Sequence, residues 1–179
     1  MFDKEHTAFV LVDVQGKLAK LVHDSDALLN NLERLINGLR ILNIPIVWLE
    51  QYPKGLGRTV NEVARHLSGL QPISKVTFNA CKNKTFMQAV QATGRKQIIV
   101  AGIETHICVY QTAVGLKEWG YDVQVVEDAV SSRTRANKIV GLEKMKSFGI
   151  LGTSVEMILY ELMESAETDV FKQILPYIK

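Results

Sequence analysis

The run Ala8-Phe9-Val10-Leu11-Val12 contains no polar position, and a strand that is apolar on both of its alternating sides is buried only when layers cover both faces. Thr7 opens this first strand, and Asp13-Val14-Gln15 follows it. Ile44-Pro45-Ile46-Val47-Trp48-Leu49-Glu50 repeats the pattern, with its proline near the start where a missing N–H is tolerated. Gln97–Ala101 repeats it again after its first residue, Tyr121–Val126 is a further strand run that includes Asp122 and Gln124, and shorter runs stand at Pro72–Phe78 and Gly149–Thr153. Between these runs the apolar spacing becomes helical. From an N-cap at Ser25 or Asp26 it passes through Leu28, Leu29, Leu32, Leu35, Ile36, Leu39 and Leu42 to a stop at Asn43. A short helix is expected around Asn61 to Leu67, and another from Thr85 to the Thr93-Gly94 stop signal. Further helices are expected after Cys108 as far as Gly120, from Ala136 to Phe148, and from Ser154 to Met163. Six strands alternating with helices through short connections predict an α/β fold: a three-layer αβα sandwich around a six-stranded parallel sheet, Rossmann-like, in a single domain over residues 1–179.

Composition narrows the function. A chain of 179 residues with 47% hydrophobic and 22% charged residues has enough apolar material for one sizeable core. A formal charge of +2, with no basic run, provides no electrostatic footprint for nucleic acid. Cys81 and Cys108 form no CxxC or Cys/His cluster, so a disulfide framework is not expected and a reducing compartment fits. The first apolar run is too short for a signal peptide or membrane span, so a cytoplasmic protein with no membrane partner is expected. Gly55-Leu56-Gly57 is an incomplete dinucleotide fingerprint in the wrong loop, so no cofactor is expected either.

The densest chemical signal lies in Gln97–Tyr110, read as a buried strand, a sharp turn at Gly102 and the first turn of a helix carrying Cys108. Free N–H groups and the helix dipole favour negative charge there, which predicts a lowered thiol pKa and a place for an oxyanion. The competing reading is a small buried hydrophobe at a strand-helix junction. A cysteine nucleophile needs a base. His106 lies two positions from Cys108 and turns elsewhere, while His6, His23 and His66 occupy no strand end. Asp13 and Lys75 stand at strand ends and could serve as base and charged partner, although Lys75 must span roughly 10 Å if an intervening strand separates them. Lys75 also admits a plain reading as a lysine whose stem is buried and whose head reaches solvent.

These residues, in the order Val10-Leu11-Val12-Asp13-Val14-Gln15, Lys75, Gly102-Ile103-Glu104-Thr105-His106-Ile107-Cys108-Val109 and Val126-Glu127-Asp128-Ala129, resemble the isochorismatase-like cysteine hydrolase superfamily over nearly the whole chain. Glu50-Gln51-Tyr52-Pro53-Lys54-Gly55-Leu56-Gly57 with Thr59-Val60 is most similar to its isochorismatase domain-containing, mitochondrial-hydrolase-like branch. The resemblance implies the isochorismatase-like hydrolase fold, with Asp13 as base, Lys75 as its partner and Cys108 as nucleophile. It also implies a cis peptide at Ile103–Glu104, with the N–H groups of Glu104 and Cys108 as oxyanion donors. Where nicotinamidases carry an Asp-x-His metal motif this chain has Glu50-Gln51-Tyr52, so no metal is expected. Gln15, Glu50, Tyr52, Phe78 and His106 are expected around the substrate.

The function implied is hydrolysis of a small amide, carbamoyl or related molecule through a covalent cysteine intermediate. The alternative is a catalytically retired binding or scaffolding protein of the same fold. Thiol redox sensing would need Cys81 to resolve Cys108, and Asp128 also reads as a cap for the helix that follows it. The tail Asp169–Lys179 carries Phe171, Ile174, Leu175 and Ile178 at helical spacing and is expected to pack on the body or in a homo-oligomer.

Overall fold

The computed structural model describes residues 1–178, so Lys179, where the tail reading ends, lies outside the described residues. Six strands form one parallel sheet: β1 (Thr7–Val12), β2 (Ile46–Gln51), β3 (Ile73–Lys75), β4 (Gln97–Ile103), β5 (Asp122–Ser131) and β6 (Leu151–Thr153). Their order across the sheet is β3-β2-β1-β4-β5-β6, so the chain winds outward in both directions from β1 and β4. All of β1 is buried, as its lack of alternation requires. Phe9 and Leu11 within it are fully enclosed, and each such side chain contributes about 1.5–3 kcal/mol by leaving water.

Helices cover both faces. On one side lie α1 (Leu18–Leu21), α2 (Ser25–Ile41), α8 (Val155–Met163) and α9 (Asp169–Ile178). The buried stripe of α2 is Leu28, Leu29, Leu32, Leu35, Ile36 and Leu39, matching the sequence spacing. The other side carries α5 (Lys84–Ala92), α6 (Tyr110–Glu118) and α7 (Arg135–Ser147), while the short α3 (Pro53–Leu56) and α4 (Asn61–Ala64) lie in the connection after β2. The tail helix packs on α2 and α8 with Ile174 fully buried, so its apolar stripe serves the body of the protein. Among the described residues no helix is long and apolar enough to cross a membrane.

Several boundaries differ from the sequence reading. Gly102 is inside β4, and the chain turns after Ile103. At φ +119 Gly102 lies against β1, where a Cβ would stand 2.0 Å from the Val12 carbonyl oxygen. The strand expected to end at Val126 continues instead to Ser131, because β5 resumes pairing beyond an irregularity and places Val130 beside Gly102 and Ser131 beside Ile103. Asp128 therefore sits within a strand and does not cap the helix after it. Its Oδ1 accepts the Val155 N–H at 2.9 Å, at the start of α8. The third strand is only Ile73–Lys75, which makes Lys75 its last residue.

Candidate active site

Strand order reverses between β1 and β4, and in an open parallel sheet the crevice beyond the strand ends at such a reversal is where ligands are held. Asp13 leaves β1 there in a left-handed conformation, φ 53, which Asp tolerates better than most residues. Lys75 comes from β3, two places away. Its extended side chain passes the end of β2 and donates from Nζ to Asp13 Oδ2 at 2.7 Å and to Gln51 Oε1 at 2.7 Å. A third contact, to the Thr77 carbonyl, is 3.3 Å. The ammonium is fully buried, so satisfying its three donors is what makes the burial tolerable.

Cys108 is delivered by the end of β4. The Ile103–Glu104 peptide is cis, and Thr105–Val109 then winds as a π-helix whose Ile107 and Val109 N–H groups both donate to the Glu104 carbonyl before α6 begins. Such wide turns recur at functional sites. The Glu104 carboxylate is tied outward to the Arg133 backbone N–H at 2.8 Å and to Arg133 Nε at 3.1 Å. His106 Nδ1 lies 2.9 Å from Ser132 Oγ. Together these bonds fasten the turn to the end of β5.

The electrostatics differ from the expected thiolate. Burial, and next the negative charge of Asp13, push the Cys108 thiol up from an ordinary 9.0 to about 12, with Lys75 opposing. The ammonium is already committed to Asp13 and Gln51, so it offsets only part of the cost of a second buried anion. Desolvation also raises the proton affinity of Asp13, against the pull of Lys75. Asp13 Oδ1, the oxygen that Lys75 leaves free, is buried without a hydrogen-bond partner. The protonated thiol thus shares the cavity with Asp13, which keeps one oxygen uncommitted.

These groups open onto a cavity of about 170 Å³, lined by Asp13, Cys108, Gln51 and Glu104 with walls that include Leu18, Leu56, Phe78, Ile103 and Ile107. Of the residues expected around a substrate, Phe78 lines it and the other four do not. Gln15 is a fully buried strut whose Nε2 donates to the Gln51 and Gly57 carbonyls and whose Oε1 accepts the Gln51 N–H. Glu50 accepts from the Thr59 N–H, the Thr59 hydroxyl and Arg58, fastening the loop beyond β2. Tyr52 is on the outer surface, and His106 holds Ser132. Gln51, absent from the expected set, is at the centre of the site. Side chains alternate along a strand, so Glu50 turns to the face opposite Gln51, and Tyr52 lies beyond the end of β2. Cys81 is a free thiol that does not line this cavity; its N–H donates to Asn79 and its Sγ lies 3.8 Å from the Thr112 carbonyl oxygen. Among the described residues no three His, Cys, Asp or Glu side chains group as metal ligands.

Comparison with known proteins matches residues 7–156 to the isochorismatase domain. Isochorismatase domain-containing protein 2 of Danio rerio is 34% identical over 168 residues, covering 94% of this chain and 84% of its own. The YcaC gene product from Escherichia coli, an octameric hydrolase of unknown specificity, superposes with a TM-score of 0.91 at 30% identity over 99% of this chain and 92% of its own. YcaC from Pseudomonas aeruginosa, solved with hexane-2,5-diol and covalent acrylamide, superposes with a TM-score of 0.91 at 30% identity over 98% of this chain and 90% of its own.

Proposed function

The chain belongs to the isochorismatase family, in its isochorismatase domain-containing branch, and from that premise we propose that it hydrolyses a small amide, carbamoyl or related substrate through a covalent Cys108 intermediate. The observation that carries this reading is that Asp13 and Cys108 line one cavity at the strand reversal while Lys75 Nζ is bonded to Asp13 Oδ2. Cys108 Sγ attacks the substrate carbonyl carbon as its proton passes to Asp13. Transfer in step with attack avoids leaving a buried thiolate beside a carboxylate. The backbone N–H groups of Glu104 and Cys108 receive the oxyanion, a contribution typically near 3 kcal/mol for each donor. Asp13 then protonates the departing amine and the thioester forms. Water attacks next, giving its proton to Asp13, and the acid leaves as the thiol is restored. Lys75 is a positioning residue that orients Asp13 and supports its charged form between proton transfers.

Covalent acrylamide in the Pseudomonas relative supports a reactive nucleophile in this fold, and the hydrolase description of the Escherichia relative supports the reaction class. The raised thiol pKa favours a second reading, a retired binding or scaffolding protein. Steady-state and burst kinetics on a panel of small amides separate the two. Turnover that disappears in Cys108→Ala, with a mass adduct on Cys108 in the wild type, is the expected result. Equal turnover by both proteins on every hydrolysed substrate would overturn the proposal. The octameric relative supports a homo-oligomer here as well, so light scattering should read a multiple of 20.1 kDa. Two free thiols suit a cytoplasmic or other reducing setting.

A further inference from the structure

Resting on the hydrolase reading, we infer that the substrate enters this cavity as an uncharged molecule with a short apolar acyl group, and that the site discriminates against molecules carrying a carboxylate. The room is small. A cavity of about 170 Å³ holds only about six waters at roughly 30 Å³ each, well below the roughly 300–1,000 Å³ of pockets for drug-sized ligands. Its walls are aliphatic and aromatic, from Leu18, Leu56, Phe78, Ile103 and Ile107.

The charges decide the rest. The lining contains no cationic side chain, and of its two acidic residues, Asp13 and Glu104, the second has its carboxylate tied outward to Arg133. Lys75 spends its donors on Asp13, Gln51 and the Thr77 carbonyl. Arg133 is held by Glu104, and Arg58 by Glu50 on the far side of β2. Gln51 is largely committed as well, since its Oε1 accepts from Lys75 and its Nε2 donates one N–H to the Val76 carbonyl at 2.8 Å, and its remaining N–H is an uncharged donor. A carboxylate brought into this space would lose its water, find no cationic side chain in the lining and lie against the Asp13 carboxylate in a weakly screened setting. An uncharged carboxamide avoids all three penalties. Its carbonyl needs only backbone donors beside Cys108, and its acyl chain is buried against the apolar wall.

Iodoacetamide and iodoacetate test this, being nearly equal in size and differing in charge. Each alkylates a thiol by forming an S–C bond as iodide leaves and the thiol proton is released. Intact-mass kinetics on the wild-type protein, with Cys108→Ala reporting the background at Cys81, give the Cys108 rate for each reagent. The ratio of the two rates is divided by the ratio measured on 2-mercaptoethanol, an uncharged thiol. The expected outcome is at least a tenfold preference for iodoacetamide after that correction, reduced at least threefold in Leu56→Lys, which brings a cation to the wall. Rapid alkylation of Cys108 by both reagents with no corrected preference, or a preference that Leu56→Lys leaves unmoved, would overturn the charge inference while the nucleophile stands. If neither reagent modifies Cys108 faster than Cys81, the hydrolase reading fails and takes this inference with it.

Discussion

Lys75 Nζ lies 2.7 Å from Asp13 Oδ2 although their strands do not touch, for β3 and β1 each pair with opposite edges of β2. The lysine's length closes the gap, and Gln51 at the end of β2 braces it on the way. Replacing Lys75 with Met keeps the bulk and removes the charge, leaving Asp13 buried without a counter-ion. Breaking a buried pair from one side typically costs about 3–5 kcal/mol. Urea unfolding of Lys75→Met should show a loss of that order, and adding Asp13→Asn should recover much of it. Turnover should fall by about 10²-fold or more in both proteins, because loss of a positioned base costs typically 10²–10⁴-fold. Stability recovered together with turnover would remove Asp13 from the mechanism.

The two cysteines make alkaline stability informative. Burial holds Cys108 and Cys81 each near 12, whereas in the unfolded chain they ionise near the ordinary 9.0. Between those values the unfolded state has released protons that the folded state retains, so unfolding becomes easier as pH rises. The stabilisation is fully present below about pH 9 and is lost as pH climbs toward about 12. Urea midpoints taken from pH 8 to pH 11 should fall more steeply for the wild type than for Cys108→Ala or Cys81→Ala. A slope unchanged by both substitutions would mean the thiols are not held protonated by the fold.

Gly102 and Gly94 both have positive φ, at +119 and +67, but only Gly102 faces backbone, with the Val12 carbonyl oxygen 2.0 Å from where a Cβ would stand; Gly94 has open space. Gly94→Ala should therefore cost only the backbone strain of about 1–2 kcal/mol. Gly102→Ala adds a collision between β1 and β4 that rigid strands relieve only by separating, and its melting temperature should fall clearly further. Equal losses in the two variants would show that the strands have room to part.

The frame of this protein was legible because strands such as Ala8–Val12 are apolar on both faces and because stripes such as Leu28–Leu39 have one helical period. That helix starts at Ser25 after Asp24 with no side-chain cap, not from a cap at Ser25 or Asp26. Boundaries set by tertiary pairing were harder to read. Nothing local tells β5 to continue through Glu127 and Asp128 to Ser131; that extension depends on the end of β4 lying alongside it. The meeting of Asp13 and Lys75 needed the strand order, which spacing does not encode. Gln51 was hidden by one residue of parity, for its neighbour Glu50 faces the loop and accepts from Thr59 and Arg58. Pairing of Gln51 with Lys75 at the end of β2 and β3 is the signal that would have found it. The thiol's raised proton affinity was also outside local reach, since it comes first from burial by the folded structure and next from Asp13, 95 positions earlier in the chain.

Gln51 supplies the last prediction. Its Oε1 holds Lys75 at 2.7 Å, the same distance at which Asp13 holds it, so the amide shares the ammonium without competing for its charge. Gln51→Glu replaces that neutral acceptor with a second carboxylate. The ammonium would then divide its field between two anions, and the ionised form of Asp13 would be less favoured than it already is through burial. Asp13 acts as base only when ionised, so the acid limb of kcat/KM against pH should move to higher pH, while the activity above that limb is reduced less. Gln51→Leu makes the complementary test. It leaves one Lys75 donor buried and unpaired, at a cost of about 1–3 kcal/mol, and adds no negative charge. That variant should lose stability, with its acid limb near the wild-type position or below it. If Gln51→Glu lowers kcat/KM uniformly with no movement of the limb, Gln51 holds the fold of the strand end and has no part in setting the base.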